Sequence, residues 1–277
     1  MDSKSGIPPD ILRMRNLRAV LKKILPSSLR KYASGIYYGW HGDYDSWSVA
    51  EKKCTGYDSG LIIAKVRASL MLVKNGDAVY ERDSVLFNEI QYSYPLLSGL
   101  MWIAAQNNGK LNVLDFGGSL GSSYFQNKLF LDSLEDVNWC IVEQEGFVKT
   151  GREDFATDKL HFFNTIEECL ISFNINVVLL SSVIQYLEKP YQLLDQLNSL
   201  RIKFILIDRT PFISGNDRIT IQKVMPGIYK ASYPCWFFNE EKFVTHIRTE
   251  YKLILAFDAL DRANISSEFK GFIFELK

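Results

Sequence analysis

The second part of the chain alternates short apolar runs with helical patterns, and this alternation constrains the fold more than any other feature. The apolar runs are LNVLDF, WCIVE, LHFF, VVLLS and KFILID, at residues 111–116, 139–143, 160–163, 177–181 and 203–208. Helical patterns separate them at 119–130, 145–155, 165–173 and 190–200. Continuously apolar strands with helices between them predict a parallel sheet that is covered on both faces.

Helix-boundary residues support these predicted bounds. Thr165 and Glu168 have capping-box spacing, and Pro190 suits the first turn of a helix. Before the first strand, a helical pattern begins near Pro95 and is stopped by Gly109.

The C-terminus departs from this alternation. After a predicted helix near 240–249, KLILAFDAL and GFIFELK read as two strands, at residues 252–260 and 271–277. About ten residues connect them, which is too short for a packed parallel crossover, so we expect an antiparallel pair. The predicted fold is α/β, with five parallel strands followed by an antiparallel C-terminal strand pair.

The N-terminal part shows no such alternation. Residues 11–25 form a basic amphipathic pattern that Pro26 ends, residues 35–47 are rich in aromatics and glycine, and 59–75 read as a helix. The basic helix fits either an anionic membrane surface or packing against protein. We predict two parts: 1–92, a basic helix with a helical and aromatic cap, and 93–277, a Rossmann-like domain.

Composition excludes several classes of protein. Lysine and arginine together number 32, as do aspartate and glutamate, so a broad nucleic-acid-binding surface is not expected. The four cysteines form no CxxC pair and the three histidines no HExxH motif, so neither a disulfide framework nor a metal site is predicted. No secretory signal or membrane-spanning run is apparent, which predicts a cytoplasmic protein.

The first predicted strand runs into a glycine-rich turn, VLDFGGSLGSSYFQ, at residues 113–126. A dinucleotide-binding GxGxxG motif fails because Phe116 occupies the position of its first glycine, and no GK[ST] follows for a phosphate loop. An acid followed by small residues resembles motif I of class I adenosylmethionine-dependent methyltransferases. Ser119 replaces the middle glycine of that motif, which is tolerable if its φ stays negative.

That resemblance implies a set of cofactor contacts. Asp115 would lie near the cationic end of S-adenosylmethionine, and Glu143, 22 residues past Gly121, would accept the ribose hydroxyls. The implied cofactor-binding residues are Asp115, Gly117, Gly118, Ser119, Gly121, Glu143, Gln144 and Ser182. A Rossmann-like domain without a ligand and a nucleotide-binding domain remain as alternatives.

Seven segments together resemble a family of bacterial proteins assigned as methyltransferases, whose members are often associated with surface-polysaccharide gene clusters. The segments are YERDSVLF, YSYPLL, LDFGGSLGSSYFQ, VEQEGFV, SSVIQYLEKP, LIDRTPF and ASYPCWFF. The resemblance runs from about Trp47 to the C-terminus, and it implies the class of enzyme more than the substrate.

Candidate catalytic residues follow the fourth and fifth strands. Asp208 is a candidate base, Arg209 a candidate ligand for an anionic group, and Gln185 a candidate contact to cofactor or acceptor. Ordinary structural roles stay open: Arg209 could form an internal ion pair, and Ser181 and Ser182 could cap a helix.

Candidate substrate-binding residues are mostly aromatic. They are Tyr186, Tyr229, Tyr233 and Trp236, with Glu81 and Arg82 from the cap. Aromatic rings with polar edges suit a sugar ring, but they also suit a hydrophobic plug. Glu81 and Arg82 could instead pair on a solvated face.

Two functional hypotheses follow. The first is a methyltransferase that modifies a sugar hydroxyl or amine of a surface polysaccharide or its precursor, with a small-molecule or glycan acceptor. The second is a catalytically inactive methyltransferase-like binding or scaffold protein. If residues 11–25 bind lipid, the protein is peripheral to the inner membrane.

Overall fold

A computed structural model describes residues 38–56 and 59–277 of the chain. The predicted basic helix at 11–25 lies outside these described residues. The helices are α1 (Trp47–Glu51), α2 (Ser59–Asn75), α3 (Tyr94–Gln106), α4 (Ser122–Leu131), α5 (Glu145–Asp154), α6 (Ile166–Ser172), α7 (Pro190–Leu200) and α8 (Glu240–Ile247), with a 3-10 turn at Ile184–Tyr186.

Twelve strands are found in the described residues. They are β1 (Gly39–Tyr44), β2 (Tyr80–Arg82), β3 (Val85–Phe87), β4 (Lys110–Phe116), β5 (Asp136–Val142), β6 (Leu160–Phe163), β7 (Val177–Ser181), β8 (Phe204–Ile213), β9 (Arg218–Lys223), β10 (Ser232–Asn239), β11 (Tyr251–Asp258) and β12 (Glu268–Leu276).

The central sheet confirms the predicted architecture. Its parallel part has the order β6-β5-β4-β7-β8. On the other side of β8, β12 pairs antiparallel with β8 and β11 antiparallel with β12. This is the Rossmann-like class I methyltransferase fold with its antiparallel C-terminal strand pair.

Two apolar cores lie on opposite faces of the sheet. Along β4, Val113 packs into one core and Leu114 into the other, because neighbouring strand residues point to opposite faces. Helices α2 to α5 contribute to the first core, and α6 to α8 to the second. The capping predictions are confirmed as well: the Glu168 N–H donates to Thr165 Oγ1 at 3.1 Å, and α7 begins at Pro190.

Three strands that were not predicted from the sequence, β1, β9 and β10, extend the sheet. They join it at the end of β8 that reaches past β7. The last residues of β8 pair in parallel with β10, which pairs antiparallel with β9, and β9 pairs antiparallel with β1. Pro234 lies inside β10, and an internal proline argues against a strand when only the sequence is read. Because β1 joins β9, residues on both sides of the predicted 92/93 division share one sheet, and that division stays a prediction.

Candidate active site

A cavity of about 770 Å³ opens at the carboxyl ends of β4, β5 and β7. In doubly wound folds, ligands bind at this edge of the sheet. The lining comes from the glycine turn, the ends of these strands, the β2–β3 hairpin, and the segments 222–234 and 261–269. Its volume is within the usual range for small-molecule sites, roughly 300–1,000 Å³.

Glycines let the turn after β4 pack closely on its neighbours. A Cβ added to Gly117, whose φ is +71°, would lie 2.3 Å from Val183 Cγ2. One added to Gly118 would lie 2.4 Å from Asp115 Oδ2. The turn therefore needs glycine at both positions, because Val183 leaves no room for a side chain at Gly117 and Asp115 leaves none at Gly118.

Ser119 does not have the negative φ that the sequence interpretation required. Its φ is +56°, the left-handed region that disfavours residues with a Cβ. The position thus keeps the backbone shape that the middle glycine of the motif provides, although a serine occupies it. Asp83, Ser84, Ser182 and Arg209 also line the cavity with positive φ, and such strained backbone tends to cluster at functional sites.

Asp115 places a buried carboxyl at the wall of the cavity. The side chain is 1% exposed, and Trp139 Nε1 donates to its Oδ2 at 2.9 Å. Burial raises the pKa of Asp115 to about 7, with Glu143 adding to the rise and the Trp139 bond opposing it. A cationic ligand group beside Asp115 would stabilise the ionised form, since an opposite charge lowers the pKa of an acid.

Glu143 follows directly after β5, the neighbouring strand. Burial raises the pKa of Glu143, while backbone hydrogen bonds from Gln144 and Ser119 oppose the rise. The Gln144 N–H donates to Glu143 Oε2 at 2.8 Å. The bond from Ser119 therefore joins the glycine turn to the acid that follows the next strand.

These groups fit adenosylmethionine. Asp115 would face its ammonium and Glu143 would accept from its ribose hydroxyls, with Gly117, Gly118 and Ser119 supplying close backbone. Gln144 and Ser182 also line the cavity. Gly121, with φ +104°, serves as the N-cap of α4 and does not line the cavity within the described residues.

Glu81 ties the hairpin to the glycine turn. It is 2% exposed, its Oε2 accepts from Ser122 Oγ at 2.7 Å, and its Oε1 accepts from the Ser84 N–H at 2.9 Å. Glu81 therefore lies at the cavity and is not on a solvated face. The Arg82 guanidinium also lines the cavity and lies 5.6 Å from the centroid of the Phe87 ring.

Arg209 forms an ion-pair cluster with two carboxylates from distant parts of the chain. Its Nε donates to Asp261 Oδ2 at 2.7 Å, and its Nη2 donates to Asp83 Oδ2 at 2.9 Å and to Asp261 Oδ1 at 3.2 Å. This is the internal ion pair that the sequence left open, and we call Arg209, Asp83 and Asp261 the clasp. The guanidinium is already paired, so the structure gives no support to a role in binding an anionic acceptor.

Two other candidate catalytic residues lie behind the cavity wall. Asp208 and Gln185 are each 1% exposed, and neither is among the described residues that line the cavity. Burial raises the pKa of Asp208 to about 6. Gln185 Nε2 donates to the Arg209 carbonyl and to Ser182 Oγ, each at 3.2 Å. Their predicted catalytic roles stay predictions, with Gln185 placed to hold Arg209.

Three of the four predicted aromatic residues converge on the cavity. Tyr186, Tyr229 and Tyr233 line it, and the rings of Tyr186 and Tyr233 are perpendicular, with centroids 5.4 Å apart. Tyr186 Oη donates to Gln222 Oε1 at 2.8 Å. Trp236 instead stacks on Trp47 and donates to the Leu187 carbonyl at 3.0 Å, and it does not line the cavity within the described residues.

Some lining residues had no distinct signal in the sequence. Asp83 was one charge in a mixed stretch, and Asp261 follows the strand KLILAFDAL in an unremarkable connection. Trp40 and Trp47 belong to the aromatic segment at 35–47, and the composition of that segment did not predict that they line a cavity. Pairing of β1 with β9 brings this segment to the cavity.

Several solved structures are similar in fold, all at low identity. The N-terminal domain of EvdMO1, in the presence of SAH and D-fucose, has 11% identity and a TM-score of 0.45, covering 72% of this chain and 90% of that one. The magnesium protoporphyrin IX methyltransferase ChlM from Synechocystis PCC 6803, with bound SAM, has 11% identity and a TM-score of 0.45, covering 80% and 99%.

A third structure is the 1,6-didemethyltoxoflavin-N1-methyltransferase of Burkholderia thailandensis, with bound S-adenosylhomocysteine. It has 10% identity and a TM-score of 0.44, covering 77% of this chain and 88% of that one. No protein-family model and no curated protein sequence matches the chain. Because the identities and TM-scores are low, we base the functional assignment on the chain's own residues.

Two features are absent from the described residues. None of their helices has the length and apolarity to cross a membrane. Nor do three or more of their His, Cys, Asp or Glu side chains form a group suited to a metal ion.

Proposed function

We propose that the protein is a methyltransferase that uses S-adenosylmethionine and methylates a small acceptor. The observation that carries this proposal is the meeting of Asp115, the glycine turn and Glu143 at one cavity. A buried acid for a cationic group and a second acid for a ribose, on adjacent strand ends, match the two polar parts of this cofactor. The cofactor supplies an activated methyl group, and the chain supplies binding and orientation.

The acceptor would bind in the aromatic half of the cavity. Gly117 contacts Val183, so the cofactor half adjoins the segment that carries Tyr186. The three tyrosines give apolar ring faces with polar edges, which suit a sugar ring. We propose a hydroxyl or amine of a polysaccharide sugar, or of its precursor, as the methylated group.

Calorimetric titration with S-adenosylhomocysteine tests the cofactor assignment. The wild type should bind, and Glu143→Gln should weaken binding about tenfold or more, because a charged acceptor of hydrogen bonds becomes a neutral amide. Glu153→Gln is the matched control, since Glu153 is an exposed residue of α5. Absence of binding by folded wild-type protein would refute the proposal.

Mass spectrometry of surface glycans tests the acceptor class. A strain that lacks the protein should lose a methyl group from one sugar, and the wild-type chain should restore it. Restoration by an Asp115→Asn, Glu143→Gln double variant that no longer binds S-adenosylhomocysteine would show a scaffold and not an enzyme.

A further inference from the structure

The charges that line the cavity are unbalanced. Within the described residues, six carboxyl side chains and two guanidinium groups line it. Asp115 and Glu143 account for the cofactor half. The remaining acids are Glu51, Glu81, Asp83 and Asp261, and the remaining bases are Arg82 and Arg209, so acids outnumber bases in the rest of the lining too.

Both guanidinium groups already have partners. Arg209 donates from Nε and Nη2 to Asp261 and Asp83, and its side chain is only 18% exposed. Arg82 lies over the Phe87 ring of its own hairpin. Two carboxylates around one guanidinium leave the clasp with a net negative charge.

Asp83 and the three tyrosines line the same cavity. Burial is the main cause that raises the pKa values of Tyr186, Tyr229 and Tyr233, and the charge of Asp83 adds to the rise at each of the three phenols. The Asp83 side chain is 61% exposed, and the Arg209 guanidinium beside it holds the pKa of Asp83 below its ordinary value. Asp83 is therefore a carboxylate at neutral pH, beside three neutral phenols.

A carboxylate beside aromatic faces is a site for a cation. The ring quadrupole attracts an ammonium group, and perpendicular rings such as Tyr186 and Tyr233 can contact it from two sides. We propose that the acceptor carries an amine and that Asp83 with the three tyrosine rings forms its subsite. This inference rests on the proposed methyl transfer.

The charge of the lining suits the transfer to nitrogen. The acceptor first loses a proton to water, and the lone pair of the neutral amine then forms a bond to the methyl carbon. The bond from that carbon to sulfur breaks, and sulfur keeps the electron pair as a thioether. Positive charge thus moves from sulfur to nitrogen, where Asp83 would stabilise it in the transition state.

Binding of three sugars of the same ring shape tests the inference. Glucosamine, glucose and glucuronate are titrated into protein saturated with S-adenosylhomocysteine, and affinity is measured by saturation-transfer NMR. Glucosamine should bind about tenfold more tightly than glucose, and glucuronate most weakly. Equal binding of glucosamine and glucose, tighter binding of glucuronate, or binding of none of the three would overturn it.

Asp83→Asn separates charge from shape. Asn tolerates the positive φ of this position, and the variant also releases one bond of Arg209. We expect the preference for glucosamine over glucuronate to fall about tenfold, while Asp158→Asn, a change of an exposed acid, leaves it unchanged. An unchanged preference in Asp83→Asn would overturn the proposed subsite.

A ring substitution gives an independent check. Tyr233→Leu should lose most of the glucosamine preference, whereas Tyr233→Phe should keep it, because only the first removes the aromatic face. Equal losses in both variants would argue against a ring contact. S-adenosylhomocysteine binding, measured on the same samples, distinguishes failure of this inference from failure of the proposed function.

Discussion

At the scale of single residues, the buried carboxyl of Asp115 makes the stability of the protein depend on pH. Folding raises its pKa from about 4 in an unfolded chain to about 7. The stability contributed by the neutral acid is therefore complete below about pH 4 and is lost as pH rises toward about 7. Asp208, with its pKa raised to about 6, acts in the same direction.

Substitution of Asp115 should flatten the pH dependence of stability. In the ligand-free protein, we expect the free energy of unfolding to fall between about pH 4 and about pH 7, with Asp115 contributing on the order of 4 kcal/mol. Asp115→Asn should remove that part of the slope in urea unfolding curves. If Asp115→Asn and wild type keep the same slope, the acid is not held neutral by burial.

Gly118 should tolerate no side chain. A Cβ there would lie 2.5 Å from Asp115 Cγ, and both the turn and the acid would have to move. We expect Gly118→Ala to destabilise the protein by about 1–3 kcal/mol and to weaken cofactor binding. Gly227→Ala is the control, because nothing lies within 4 Å of its added Cβ; equal stability of the two variants would contradict the close packing.

At the scale of elements, the β2–β3 hairpin is positioned by one buried acid. Glu81 accepts from Ser122 at the start of α4 and from its own turn. Glu81→Ala should cost about 1–3 kcal/mol in thermal unfolding, because buried donors lose their acceptor. Glu89→Ala, at an exposed position just after the hairpin, should cost less than about 0.5 kcal/mol. Similar costs for both would show that the Glu81 contacts contribute little.

The parallel strands and their helices could be predicted from the sequence because their patterns are local. LHFF and VVLLS form β6 and β7 with the predicted bounds, since each run is mostly apolar and a polar residue, Asn164 or Ser181, marks its end. Strands β1, β9 and β10 were not predicted, because β1 pairs with β9 far along the chain and Pro234 interrupts the pattern of β10. The same limit applies to the clasp, whose three residues lie far apart in the sequence.

The cofactor half of the site was predictable for a related reason. A strand, a glycine turn and the acid after the next strand lie close in sequence and are fixed by the sheet. The proposed acceptor half is built from the hairpin, the 3-10 turn and β10, which meet only in the folded chain. Tyr186, Tyr229 and Tyr233 were recognised as candidates by residue type, whereas Asp83 and Asp261 had no comparable signal.

At the scale of the whole molecule, the clasp joins the hairpin, the central sheet and the C-terminal connection. Arg209→Met should destabilise the protein by about 1–3 kcal/mol, since Asp261, 21% exposed, would lose its partner, while Asp83, 61% exposed, would stay hydrated. Arg67→Met breaks an ion pair with Asp154 in which Arg67 is 50% exposed, and should cost less than about 1 kcal/mol. Equal effects in urea unfolding would show that the clasp is no more than a surface ion pair.

In the proposed enzyme, Asp115, the glycine turn and Glu143 hold S-adenosylmethionine. The most direct test is a crystal structure of the protein grown with S-adenosylhomocysteine. We predict difference density in the cavity, with the ribose hydroxyls on the Glu143 carboxylate and the ammonium at the Asp115 side of Gly117 and Gly118. Density at another site, or an empty cavity at saturating ligand, would contradict the assignment of these residues to cofactor binding.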